Sequence, residues 1–136
     1  MVGTLKLEIV TPEGIAYSDA VDMVTLPGAE GELGIFPMHV PLMTQVVPGE
    51  ILVKQGAEQF ILAVGDGFAE ITGERVSVLT DMAIKAENID EAKAEEARLR
   101  AEARLREHIS DEELASVEAA LVNATVQLQV KRKHKR

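Results

Sequence analysis

Glycine and proline stop abruptly along this chain. The last proline is Pro48 and the last glycine is Gly73, although the sequence runs on to Arg136. The two residues that most disturb a regular helix are thus confined to the first 73 positions. Every aromatic residue (Tyr17, Phe36, Phe60, Phe68) lies there too. From about Glu87 the sequence is rich in Ala, Glu, Arg and Leu, all good helix formers. A change of grammar this sharp predicts two units, 1–86 and 87–136, with the boundary near residues 84–88. A total of 136 residues allows one small domain and an appendage.

The first unit reads as short strands. Leu5, Leu7 and Ile9 alternate with Lys6 and Glu8, the pattern of a strand with one buried face. The alternation begins within Met1–Val10, so that stretch reads as a strand rather than a secretion signal. Thr11-Pro12-Glu13-Gly14 is a turn signal. Val21 to Leu26 reads as a second strand stopped by Pro27-Gly28. Apolar runs follow at Ile51 and Val53, at Phe60, Leu62 and Val64, at Phe68 and Ile71, and at Val76 and Val78. Gly65-Asp66-Gly67 reads as the turn between two of them. Short strands at this spacing, with no helix between them, predict an all-antiparallel β-sandwich. Only 3% of the residues are aromatic, so aliphatic side chains must fill its core.

The second unit reads as an antiparallel α-helical hairpin. Asn88-Ile89-Asp90-Glu91 has the form of a capping box, in which Asn88 caps and Glu91 reaches back. Ser110-Asp111-Glu112-Glu113 repeats it. The first helix places Ala94, Ala97, Ala101 and Leu105 on one face. The second places Leu114, Val117, Leu121, Ala124 and Leu128 at heptad-like spacing. These stripes can meet as a seam. Glu96 with Arg100 and Glu102 with Arg106 have the favourable i,i+4 order. Alanine buries few methylenes, so the seam reads as held but not locked. Val122, Val126 and Val130 lie off the main stripe and leave apolar surface for the sandwich or a partner.

No catalytic arrangement stands out. There is no cysteine, no GxxxxGK[ST] phosphate loop, no GxGxxG fingerprint and no GxSxG elbow. His39, His108 and His134 lack zinc-type spacing. A net charge of −9 makes nucleic acid a poor partner. No apolar run approaches the ~20 residues that span a bilayer. The tail Lys131-Arg132-Lys133-His134-Lys135-Arg136 offers cations to anionic lipid or nucleic acid. The plainer reading, preferred here, is a frayed, solvated end whose charges suit a helix C-terminus.

Gly31-Glu32-Leu33-Gly34-Ile35-Phe36-Pro37-Met38-His39-Val40-Pro41-Leu42-Met43-Thr44 resembles the sandwich signature of the epsilon-subunit family of bacterial F-type ATP synthases. Gly67-Phe68-Ala69-Glu70-Ile71 is similar to a strand start of that family, with Asp66 where a second glycine is common. Val76–Ala83 and Ile89-Asp90-Glu91-Ala92 follow in the family's order. The second helix and the basic tail match poorly.

The resemblance implies a non-catalytic rotor subunit. Its sandwich would sit against the gamma subunit and on the membrane ring of c subunits. Glu32 matches a ring-facing position, and Glu30 lies on the same glycine-rich excursion. Carboxylates there could pair with basic ring loops. His39 matches a position near gamma. The hairpin would be a brake on ATP hydrolysis, permissive when compact and blocking when it extends toward the alpha/beta head. The arginines of the first helix (Arg98, Arg100, Arg104, Arg106) could meet acidic surface in that head, or serve solubility alone.

Some family members bind ATP on this hairpin through an Ile/Leu-Asp-x-x-Arg-Ala motif. The matching run here is Ile89-Asp90-Glu91-Ala92-Lys93-Ala94. Lys93 lacks the planar fork of arginine. Arg100 matches a further basic position, while Asn123 and Gln127 stand where relatives that bind ATP tend to carry arginine. The implied site at Ile89, Asp90, Lys93, Ala94 and Arg100 would hold regulatory ATP only weakly, with no other cofactor and no metal. The implied location is peripheral, on the cytoplasmic face of the bacterial inner membrane, with membrane contact only through the complex. The competing expectation is a free-standing ligand-sensing module with a helical lid, from which the long first motif argues away.

Overall fold

The structure, a computed structural model, describes residues 3–134. Met1, Val2, Lys135 and Arg136 lie outside the described residues, and with them the ends of the predicted first strand and basic tail. Ten strands come first: β1 (Leu5–Thr11), β2 (Gly14–Val21), β3 (Met23–Gly28), β4 (Gly31–Ile35), β5 (Leu42–Val46), β6 (Gly49–Gln55), β7 (Glu58–Val64), β8 (Gly67–Ile71), β9 (Arg75–Thr80) and β10 (Ala83–Lys85). A single 3-10 turn, Ala86–Asn88, leads to α1 (Glu91–Leu105) and α2 (Asp111–Lys133). The strands run in the order β10-β7-β6-β3-β5-β8-β9-β1-β2, with β4 paired to β3. Only Gly28 opposite Val46 joins β3 to β5, so the ladder folds there into two layers. Their inner faces share one aliphatic core, including Leu5, Leu7, Ile9, Leu26, Ile51 and Ile71.

The sandwich and the hairpin are as expected, with corrections of detail. The sheet is not all-antiparallel, because β1 pairs with β9 in parallel, Lys6 opposite Arg75 through Val10 opposite Leu79. These strands are far apart in sequence, so no tight hairpin dictates their direction. The expected strand from Val21 to Leu26 is two elements that meet at Asp22, whose carboxylate accepts from the Gly56 N–H at 2.6 Å. Nor does Pro27 stop β3. It pairs with Glu32 and offers its carbonyl to the Val47 N–H at 2.9 Å, where a proline's missing N–H is not needed.

Helix α1 starts two residues later than the sequence signal suggests. Asp90, not Asn88, caps it, and its carboxylate accepts from the Lys93 N–H at 3.1 Å. Ile89 is buried against Ala63, Val126 and Val130 in an extended conformation, so the helix cannot begin before it. Ser110 does cap α2, accepting from the Glu113 N–H at 3.2 Å. The Glu113 side chain does not reach back; it binds Arg104 at 2.6 Å across the hairpin turn. Ala94 and Ala101 are buried, as are Ala124 and Leu128 of the facing stripe, while Leu114 at its far end is exposed. Glu96 pairs with Arg100 at 3.4 Å, but Glu102 is taken by Arg98 rather than Arg106.

Candidate functional site

Strands β3 and β4 form a hairpin around Ala29 and Glu30. Gly31 turns the chain with φ +123, a conformation that side-chain-bearing residues rarely adopt. A Cβ on Gly28 would lie 2.8 Å from the Gly31 carbonyl oxygen. Glu30 is therefore exposed at the tip and Glu32 is exposed on the first turn of β4, so the two carboxylates share one end of the hairpin. His39 is not brought to them. It follows the other end of β4, about 13 Å along the strand from Gly31 at 3.3 Å per residue. Its Nδ1 lies 2.6 Å from the Val40 carbonyl oxygen.

Around His39 the surface is apolar. The Met38 N–H donates to the Gly73 carbonyl at 2.8 Å, which ties this segment to the β8–β9 turn. Met38 takes φ +73, uncommon for a non-glycine residue, and its side chain is 85% exposed. Phe36, Val40 and Met43 are exposed beside it in sequence. A second apolar row crosses the outer face of the sheet: Phe68 opposite Leu79, Leu79 opposite Val10, Val10 opposite Ile15. Phe68 is 60% exposed and Ile15 64%. Contiguous apolar surface of this kind marks a place where another chain packs. Phe68, expected with Ile71 as one apolar run, is exposed where Ile71 is buried, and Val10 and Leu79 are the further apolar residues in sequence that belong to this outer row.

The hairpin docks on the opposite layer. Val126 and Val130, two of the three valines off the seam, pack on Ala63 and Ile89, with Ile61, Met82, Ile84 and Ala86 at the margin. Val122, the third, remains 41% exposed. Polar bonds surround this patch. The Asn123 amide donates to Asp81 at 3.4 Å. Lys133 Nζ donates to Glu50 Oε1 at 2.6 Å, and His134 Nε2 lies 2.8 Å from Glu50 Oε2. Burial pushes the Glu50 carboxyl up, yet hydrogen bonds and charge from Lys133 and His134 outweigh it and hold the group below its usual value. The Lys133 ammonium is in turn favoured by Glu50 and by the more distant Glu32. The expected frayed, solvated tail is thus, over its described residues, a helix end bonded to the sandwich.

The five residues of the expected nucleotide site stand in different surroundings. Ile89 is buried in the docking patch and Ala94 is buried too. The Asp90 carboxylate is engaged as the α1 cap. Lys93 is exposed, and Arg100, two turns further along the helix, pairs with Glu96. Asn123 faces the sandwich instead of α1. The recess between α2 and the sandwich, about 300 Å³, is lined by Asp66, Asp81 and Glu118, charges that repel phosphate. Among the described residues no group of side chains is arranged to hold a metal ion. No helix among them is long and apolar enough to cross a membrane.

Comparison with known proteins agrees with this architecture. Residues 4–86 match the family described as ATP synthase, delta/epsilon chain, beta-sandwich domain. Residues 87–132 match ATP synthase, delta/epsilon chain, long alpha-helix domain. An ATP synthase epsilon chain of Herpetosiphon aurantiacus is 46% identical over 93% of this chain and 93% of its own length. One from Chloroflexus aggregans is 45% identical over 96% of this chain and 94% of its own. The fold also matches a chain in the mitochondrial ATP synthase of Euglena gracilis, with TM-score 0.69 and 23% identity over 91% of this chain and 79% of that one. A chain of the Tetrahymena thermophila mitochondrial enzyme gives TM-score 0.60 at 10% identity, covering 97% of this chain and 96% of that one. By its two matched domains and its bacterial relatives, this chain belongs to the ATP synthase delta/epsilon family, as an epsilon chain, a non-catalytic subunit of that enzyme.

Proposed function

We propose that this epsilon chain is a rotor subunit in the central stalk of an F-type ATP synthase, coupling proton flow to ATP synthesis, and that its hairpin brakes ATP hydrolysis. The observation that carries the brake is the separateness of the two units. The aliphatic core of the sandwich includes no described residue of either helix. The hairpin rests on the outside, through a patch centred on Ala63, Ile89, Val126 and Val130. Undocking therefore leaves the sandwich core intact, which a two-state element requires. Laid end to end, two helices of 15 and 23 residues reach about 57 Å at 1.5 Å per residue, a length that suits an extended state directed toward the alpha/beta head.

The sandwich supplies the fixed contacts. Two apolar surfaces, one at Phe36, Met38 and Val40 beside His39 and one at Phe68 and Leu79, suit the gamma subunit. The exposed carboxylates Glu30 and Glu32 suit the polar loops of the c-ring. The chain would lie on the cytoplasmic face of the membrane, held there only through the complex. Regulatory ATP at Ile89, Asp90, Lys93, Ala94 and Arg100 would bind weakly, because Ile89 and Ala94 are buried in the docked hairpin and the Asp90 carboxylate is engaged as the α1 cap.

Deletion of residues 87–136 is the test. Membranes carrying the truncated chain are expected to hydrolyse ATP faster than those with the full chain while still synthesising it. Unchanged hydrolysis would make the hairpin a structural appendage, and lost synthesis would assign it to assembly.

A further inference from the structure

The last turn of α2 carries three consecutive cations, and each reaches a different element. Lys131 Nζ donates to the Ala86 carbonyl in the linker at 3.3 Å. Arg132 donates to Glu91 at 3.0 Å and to Glu95 at 3.3 Å, both on α1. Lys133 donates to Glu50 on β6 at 2.6 Å, and His134 occupies the other oxygen of that carboxylate. We propose that this turn is a three-way electrostatic latch, which ties α2 at once to the linker, α1 and the sandwich, and whose Lys133–Glu50 pair sets how often the hairpin leaves its docked position.

Geometry supports Glu50 as the fixed half of the latch. It stands on β6 directly opposite Ala63 of β7, the strand residue at the centre of the apolar docking patch. The patch ends at Val130, one turn before Lys133, so the apolar and ionic contacts adjoin. The Glu50 side chain is only 26% exposed, which screens its pairs less than open surface pairs are screened. The carboxylates facing this helix end are Glu50 on β6, Glu32 on β4, and Glu91 and Glu95 on α1. Cations at a helix C-terminus also gain from the helix dipole. The fully buried part of the apolar patch is small, Ala63, Ile89, Val126 and Val130, so bonds of modest strength can shift the balance between docked and free. The regulatory meaning of the latch rests on the braking function proposed above, whereas its existence does not.

Hydrogen exchange on the full chain tests it. Lys133→Gln and Glu50→Gln are each expected to speed exchange of the α1 and α2 amides about three- to fivefold at low salt, with the amides of β1, β8 and β9 unchanged. The double variant is expected to fall well short of the sum of the single ones, since both substitutions remove the Lys133–Glu50 bond. Raising salt to about 1 M, where the screening length is roughly 3 Å, should bring the unmodified chain close to the variants. Additive effects in the double variant, or hairpin exchange indifferent to salt, would overturn the latch. Should Glu50→Gln disturb the sandwich amides, Lys133→Gln and its salt dependence decide alone. Hydrolysis by the assembled enzyme is read separately, and a freed hairpin is expected to lower it. Faster hairpin exchange with unchanged hydrolysis would keep the latch and remove the brake.

Discussion

Glu50 illustrates how a single carboxylate can be structural from one side and regulatory from the other. Its value is lowered in the docked state, against the effect of burial, by Lys133 and His134. A carboxylate lowered by folding stabilises above its unfolded value, and that stabilisation is lost as pH falls through the lowered one. Docking of α2 should therefore loosen in acid, below the ordinary carboxylate value of about 4.3. Amide shifts of Ala63 and Val130 followed by nuclear magnetic resonance would report it, with the step weakened in Glu50→Gln. Two glycines make a contrasting pair. A Cβ on Gly65 would meet Asp81 Oδ1 at 1.9 Å and Asn123 Oδ1 at 2.6 Å, both side-chain atoms. A Cβ on Gly67 would meet the Leu79 backbone oxygen at 1.9 Å. Gly67→Ala should cost the sandwich about 1–3 kcal/mol in denaturant unfolding. Gly65→Ala should cost it less and instead break the Asn123–Asp81 contact, seen as faster exchange in α2.

At the scale of elements, burial corrects local signals. Asn88 carries a good capping sequence, but Ile89 is drawn into the docking patch and the cap passes to Asp90. Asp90→Ala should then lower hairpin stability by about 1 kcal/mol, while Asn88→Ala should change little. Thermal melts followed by far-ultraviolet circular dichroism separate the two, and equal losses would return the cap to Asn88. Helix α2 has two apolar stripes because it packs on two partners: Ala124 and Leu128 are buried along the seam with α1, and Val126 and Val130 on β7. The matching signal was present in β7. Phe60-Ile61-Leu62-Ala63-Val64 is apolar on both faces, the mark of a strand covered on both sides. The alternation at Phe60, Leu62 and Val64 accounts for the inner face alone.

The whole molecule is a two-layered sandwich carrying a hairpin on its outside. Because its core is complete without the helices, a fragment of residues 1–86 should fold by itself and unfold in one cooperative step. Removal of the hairpin uncovers Ile61, Ala63 and Ile84, so the fragment should be somewhat less stable and more prone to associate than the full chain. Circular dichroism and denaturant titration check this. A fragment without cooperative unfolding would mean that the hairpin is part of the folding unit. Strand β1 is interior to the sheet, pairing with β2 on one side and β9 on the other, so its loss should disrupt the sheet far more than loss of α1.

Local chemistry in the sequence determined the two units, the inner strand faces, the Ser110 cap and the alanine seam, because each depends on residues within a few positions of one another. The glycine-rich motif likewise placed Glu30 and Glu32 together, since Glu30 lies in the two-residue turn after β3 and Glu32 two positions on. Tertiary structure decided everything that joins distant residues. The parallel β1–β9 pair spans about half the chain, and Lys133 meets Glu50 across 83 positions. The basic tail reads as solvated because a sequence does not display the carboxylate it will face. Neither the docking of α2 nor the start of α1 at Asp90 follows from propensity; both follow from the burial of Ile89, Val126 and Val130 against a strand that the sequence places nearly thirty residues before the first of them.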